Sequence, residues 1–267
     1  MNHPIFGYTH IGSLHLREKK PCQDYSIAKK YKSYSIIGVA DGHGSSLYIR
    51  SQSGSKFALQ ALLMIANQFL INEANINICE ESIKINYINR WNQLVIEHIQ
   101  SHPISEKEIE QLSQKQKLQI LMDPYVIYGT TFIGCIVYKE KLVLMQIGDG
   151  ALTVLDKNND FSILFHDRSD LHVGGYTSSL SQDNAIDYLD VKIISKDEIK
   201  YVCLATDGFL IPFMSEDRLL KQFFHIYQNY FQGDNKKSAE IEIKRMLHSI
   251  AFQYGNGDDV SFAYLII

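Results

Sequence analysis

The chain has 267 residues, 45% of them hydrophobic and 21% charged, a balance that excludes wholesale disorder and collagen-like sequence. That length suits one large α/β domain and buries roughly three quarters of the unfolded surface, so neither a disulfide nor a metal is needed merely to fold. Lys and Arg number 26 against 30 Asp and Glu, a formal charge of -4, and only six of the basic residues are Arg, which offers no nucleic-acid footprint.

MNHPIFGYTH at the start lacks a basic segment followed by an apolar one, so no signal peptide is expected. YSIAKKY and YSIIGVA (Tyr34 to Ala40) are β-rich runs of strand length. From about Ser51 to Leu121 the apolar period turns helical, with Phe57, Ala61, Met64 and Ile65 on one face and Ile88, Trp91, Leu94, Val95 and Ile99 on another. The apolar stretch from Phe57 to Ile71 is interrupted by Gln60, Asn67 and Gln68. It is shorter than the roughly 20 residues of a membrane span and reads as a buried helix. Ser105 to Leu121 opens with a capping-box pattern, Ser105 then Glu108.

After Pro124, TTFIGCIVY, LVLMQIG and ALTVL read as consecutive antiparallel strands with short turns, and FSILF as one more. Asp167 to Asp187, polar and containing Gly174 and Gly175, reads as a flap. YVCLAT is a buried strand, Asp217 to Phe231 and Ser238 to Phe252 are helical, and VSFAYLII closes the chain. Strands in two blocks separated by helices predict an α+β sandwich of sheets with helices outside. The four cysteines (Cys22, Cys79, Cys135, Cys203) are far apart with no CxxC, which fits packing residues in a reducing cytoplasm.

Chemistry is signalled by Asp at the ends of apolar runs. IIGVA enters Asp41-Gly42-His43-Gly44, LVLMQIG enters Asp149-Gly150, YVCLAT enters Asp207-Gly208, and Gly257-Asp258-Asp259 precedes the last strand. Carboxylates converging on one rim raise each other's pKa unless a cation neutralises them. All-oxygen ligation suits magnesium, manganese or calcium. A single Asp-Gly also reads as a turn, and Asp149-Gly150 does so as well as it reads as a ligand.

In order along the chain stand Asp24 in PCQDYS, DGHG at Asp41 to Gly44, YGTT at Tyr128 to Thr131, GDG at Gly148 to Gly150, TDG at Thr206 to Gly208 and GDDVS at Gly257 to Ser261. In these motifs the sequence resembles the metal-dependent (type 2C, PPM) serine/threonine protein phosphatases across essentially its whole length, 1–267, as a single domain. G-S-L-H…P-C-Q-D and Y-T-S-S-L-S resemble the bacterial branch of that family.

The resemblance implies a four-layer α-β-β-α sandwich holding two magnesium or manganese ions. It implies that Asp41 bridges both ions, that the Gly42 carbonyl adds a ligand, and that Asp207 and Asp258 hold the first ion. Asp24 then serves the second, directly or through water, and Asp149 helps hold a third, looser ion. Asp259 sits where most members have Asn and is placed behind the ligands, the alternative being that it and Asp258 exchange roles. His15 matches a histidine of the bacterial branch. His43 is the implied general acid, a structural histidine being the alternative. Where many relatives carry a phosphate-binding Arg this chain has Lys19, with Arg17 two residues earlier. Lys meets a phosphate as a point charge without the bidentate fork.

Two metal ions allow direct attack of water on phosphorus, so no covalent nucleophile is needed, and no cysteine sits in a C-x5-R loop. The expected function is hydrolysis of phosphoserine and phosphothreonine in a phosphorylated protein, opposed by a cognate kinase. The expected enzyme is a cytoplasmic monomer with no membrane or nucleic-acid partner. A pseudophosphatase serving as a binding module, which would show lost carboxylates, and a metal-dependent nuclease are the competing readings.

Overall fold

In the computed structural model, which describes residues 4–71, 79–165, 177–231 and 236–267, the strands are β1 (Ile5–His10), β2 (Tyr25–Lys30), β3 (Tyr34–Ala40), β4 (Phe132–Tyr138), β5 (Lys141–Ile147), β6 (Ala151–Asp156), β7 (Phe161–Ile163), β8 (Asp190–Ser195), β9 (Ile199–Ala205) and β10 (Val260–Ile266). They form two antiparallel five-stranded sheets, ordered β1-β10-β9-β6-β7 and β2-β3-β4-β5-β8. The helices are α1 (Ser13–Glu18), α2 (Ser51–Ile71), α3 (Glu80–Ser101), α4 (Glu106–Ile109), α5 (Gln114–Met122), α6 (Ala185–Tyr188), α7 (Asp207–Leu210), α8 (Glu216–Phe231) and α9 (Lys236–Ser249).

Successive side chains on a strand point to opposite faces, and this period sorts the apolar residues into three cores. Ile37, Val39, Ile133, Cys135, Leu152, Val202, Leu204 and Ala263 fill the space between the sheets. Ile36, Ile136 and Val143, on the other face of the second sheet, pack with Leu62, Tyr87, Trp91 and Val95 of α2 and α3. Tyr201, Cys203, Phe262 and Tyr264, on the outer face of the first, pack with Phe223, Ile226, Ile243 and Leu247 of α8 and α9. The result is the α-β-β-α sandwich that the family resemblance implies.

Buried Tyr87 and Trp91 need partners for their polar ends. Tyr87 donates to the Ala58 carbonyl at 3.1 Å and Trp91 to the Gly54 carbonyl at 3.1 Å, which ties α3 to α2. Among the described residues, no helix is long and apolar enough to cross a membrane.

The structure departs from the sequence reading at four places. Strands β1 and β8 were not anticipated. Only Phe6 of β1 is buried and β8 lies at a sheet edge, so neither shows the full alternation of a half-buried strand. Ser105 to Leu121 is not one helix. It is α4 and α5, each with its own capping box, Ser105/Glu108 and Ser113/Gln116. LVLMQIG and ALTVL are not hairpin partners, because β5 and β6 lie in different sheets. Of the flap read over 167–187, residues 167–176 fall outside the described residues, and the remainder includes α6.

Candidate active site

Antiparallel pairing sets the exit of β9 beside the entry of β10, with Ala205 opposite Phe262. Asp207 and Asp258 therefore arrive at the same sheet end. Asp41 follows β3 in the facing sheet, and Asp149 lies where the chain crosses from β5 to β6. All four carboxylates line one cavity of about 320 Å³, together with Gly42, His43, Gly44, Ser45, Tyr48, Thr131 and Thr177.

Backbone bonds fix the DGHG loop. The Asp41 carbonyl accepts from Thr131 N–H at 2.8 Å and from Thr130 Oγ1 at 2.7 Å, while Asp41 N–H donates to Thr131 Oγ1 at 3.3 Å. His43 N–H donates to the Gly129 carbonyl at 3.0 Å. Gln23 spans the same loop, its Nε2 donating to the His43 carbonyl at 3.3 Å and to Ser51 Oγ at 2.6 Å. A Cβ on Gly42 would stand 2.8 Å from the carbonyl oxygens of Gln23 and Ser51, so only glycine fits. Thr177 Oγ1 donates to Asp149 at 2.7 Å.

Asp258 and Asp259 separate cleanly. Asp258 lines the cavity. Asp259 is buried behind it and accepts from Gly12 N–H at 2.7 Å, Gln23 N–H at 2.6 Å and His15 Nδ1 at 2.9 Å. Burial works to raise the Asp259 pKa, but the bonds from His15, Gly12 and Gln23 outweigh it and hold the carboxylate below its ordinary range. The same bond raises the pKa of His15. Asp24 is buried without reaching the cavity wall and accepts from Thr206 Oγ1 at 2.9 Å.

The electrostatics call for positive charge. Burial, then the carboxylates of Asp24, Asp207 and Asp258, push the Asp41 pKa well above its ordinary value. Burial, then Asp259, does the same for Asp24, and burial, then Asp207, raises Asp258. Asp207 Oδ1 is buried with no hydrogen-bond partner. Oxygens disposed this way need a proton or a cation, and an all-oxygen set fits a hard dication. The residues present thus fit a divalent metal, although among the described residues no three His, Cys, Asp or Glu side chains already close round one point.

Among the described residues the cavity wall contains no Lys or Arg. Arg17 and Lys19 lie exposed at the end of α1, where Lys19 closes the helix with a φ of 55°. Residues of the wall not singled out by the sequence reading are Ser45, Tyr48, Thr131 and Thr177. Thr131 and Thr177 fall inside the YGTT and Y-T-S-S-L-S motifs, whereas nothing local marked Tyr48, whose ring stands 4.8 Å from His43. His43 itself is pushed down to about 4 by burial, against an opposing pull from Asp207.

A family model described as Protein phosphatase 2C matches residues 11–248. The chain belongs to that family. No curated protein matches it significantly. Among solved structures, this phosphatase 2C chain is similar to the serine/threonine phosphatase Stp1 from Staphylococcus aureus, at 14% identity and a TM-score of 0.61, covering 100% of this chain and 96% of that one. It is likewise similar to the catalytic domain of the serine threonine protein phosphatase PstP in complex with two manganese ions, at 14% identity and TM-score 0.61, covering 99% and 97%. The S. agalactiae serine/threonine phosphatase aligns at 15% identity and TM-score 0.59, covering 100% of both chains. At these identities the likeness establishes the fold.

Proposed function

We propose that this phosphatase 2C chain, working as one domain over 1–267, hydrolyses phosphoserine and phosphothreonine in phosphorylated proteins. The observation that carries this reading is the convergence of Asp41, Asp207 and Asp258 from three strand ends onto one cavity. Asp41, the Gly42 carbonyl, Asp207 and Asp258 would hold a magnesium or manganese pair with Asp24 behind them, and Asp149 with Thr177 would hold a third ion. When bound, such ions neutralise phosphoryl charge and lower the pKa of a coordinated water.

The chain's own residues perform the rest. Thr130 and Thr131 hold the Asp41 backbone, so its carboxylate is presented from a fixed main chain. Asp259, gripped by Gly12, Gln23 and His15, anchors the main chain directly after Asp258 and so holds Asp258 at the cavity wall. His43, on the cavity wall, is placed to protonate the leaving alkoxide. Burial disfavours its charged form, and an arriving phosphate dianion opposes that effect. Phosphate contacts fall to Ser45 and Tyr48 on the wall, with Arg17 and Lys19 further out meeting the rest of the substrate.

A kinase of matching specificity supplies the substrate, and we place the enzyme in the cytoplasm as a monomer. Four cysteines far apart in sequence with no CxxC fit a reducing compartment. A purely binding role is not supported, since every metal carboxylate of the motif set is present. Phosphate release from a phosphothreonine peptide tests the reading. Turnover is expected with manganese and not with chelator or with Asp41→Asn, and folded, manganese-loaded protein inert toward a phosphopeptide panel would overturn it.

A further inference from the structure

Away from the carboxylate cavity, the last residue of β1 meets the C-terminal turn of α9. His10 Nε2 and His248 Nδ1 stand 3.1 Å apart at an exposed position. The opposite nitrogen of His10, Nδ1, lies 2.8 Å from the Ile11 carbonyl oxygen. A carbonyl only accepts, so Nδ1 carries the proton and the Nε2 lone pair of neutral His10 faces His248. Phe252 fixes both rings, stacking on His248 at 4.7 Å and meeting His10 edge-on at 5.6 Å.

We propose that His10 and His248 form a second metal site, separate from the carboxylate cavity, for a borderline transition-metal dication of the zinc class. Two imidazole nitrogens bound to one tetrahedral zinc at about 2.0–2.1 Å lie roughly 3.3–3.4 Å apart, so a shift of a few tenths of an ångström converts the observed pair into two ligands. Zinc displaces the proton that His248 Nδ1 donates to His10 Nε2, and that proton is released to solvent or taken by His248 Nε2. A ligating histidine characteristically donates its other N–H to a backbone carbonyl, which sets the tautomer and the ring. His10 already makes that bond to Ile11. Imidazole donors favour zinc, cobalt, nickel and copper over magnesium, whereas the carboxylate cavity favours the hard ions. The two sites thus select different metals. Water completes the coordination, because among the described residues no third His, Cys, Asp or Glu joins the pair.

The site has a structural consequence. His10 lies two residues before Gly12, whose N–H grips Asp259, and α9 leads through 250–254 into the loop that carries Asp258 and Asp259. A bridging ion fastens together two segments that meet at one carboxylate.

Equilibrium dialysis of the whole protein against zinc, in excess magnesium to fill the carboxylate cavity, tests this site. Wild type is expected to retain one zinc equivalent more than either His10→Gln or His248→Gln. Zinc is also expected to raise the melting temperature of wild type alone. Should either variant fold poorly, nitrogen chemical shifts of wild type decide: zinc must move His10 Nε2 and His248 Nδ1. Equal zinc uptake by all three proteins, or unmoved imidazole shifts, overturns the proposal. Neither readout depends on phosphatase activity.

Discussion

Arg50 lays its guanidinium along the Glu108 carboxylate, with Nε 2.8 Å from Oε1 and Nη2 3.0 Å from Oε2. Its remaining N–H groups reach the His102 carbonyl at 2.8 Å, the Pro103 carbonyl at 3.3 Å and Tyr128 Oη at 2.9 Å. All five donors of a buried cation are thereby used. Tyr128 opens the YGTT segment that holds Asp41 and His43, so this ion pair braces the active-site loop from behind.

The pair makes stability depend on pH in a defined direction. The bond from Arg50 holds Glu108 down at about 2, below its usual 4.5. A depressed carboxylate contributes stability above its unfolded pKa and loses it as pH falls toward the folded one. Urea unfolding of wild type and Glu108→Gln should differ by about 1–2 kcal/mol at pH 7, a modest figure because Glu108 keeps an edge in solvent. The difference should shrink as pH falls from about 4.5 toward 2. A pH-independent gap would show that the charge of Glu108 is not what the pair uses.

Gly54 tests how α2 is seated. A Cβ there would fall on the Tyr128 carbonyl oxygen, a backbone atom held in place by the residues just described. Gly54 also accepts from the Trp91 indole through its own carbonyl. Gly54→Ala should therefore destabilise by about 1–3 kcal/mol despite the usual gain of alanine in a helix. Chemical denaturation checks this, and a stabilised variant would show that α2 can shift without cost.

Much of the site was legible because its signal is local. An apolar run ending in Asp-Gly is written in consecutive residues, and the same period of two that identifies β3, β9 and β10 assigns their faces. What was not legible depends on the partner. Whether Asp149-Gly150 turns a hairpin or crosses between sheets depends on where β6 pairs, 50 residues away at Cys203. The roles of Asp258 and Asp259 depend on Gly12, Gln23 and His15 from the other end of the chain. Arg17 and Lys19 came as phosphate ligands from the family resemblance, and a motif position does not reveal that both side chains lie exposed at the end of α1, off the cavity wall. The break between α4 and α5 was readable, since Ser113 and Gln116 repeat the pattern of Ser105 and Glu108, but helical periodicity ran across it.

The adjacent aspartates should respond oppositely to the same change. Asn at 259 would replace one acceptor oxygen by an N–H₂ facing donors already committed to it, at a cost of about 1–3 kcal/mol. Asn at 258 removes a negative charge facing Asp207, which should leave metal-free stability unchanged or raised while abolishing metal-dependent turnover. Melting curves in chelator, paired with phosphate release in manganese, separate the two. Should Asp258→Asn melt early and Asp259→Asn remain stable, the roles would be exchanged.

His43 can be tested through the leaving group. An alkoxide from phosphoserine needs a proton as it departs, whereas the nitrophenolate of p-nitrophenyl phosphate leaves without one. If His43 supplies that proton, His43→Ala should lower kcat on a phosphothreonine peptide by about 10²–10⁴-fold and on the nitrophenyl ester by far less. A structural histidine would give equal losses on both substrates, because a displaced DGHG loop would misplace Asp41 whatever the leaving group. His43→Gln refines the comparison, since it retains a hydrogen-bonding side chain without a titratable proton. Its peptide activity should stay low if proton transfer is the role, and recover if the side chain only fills space beside Tyr48.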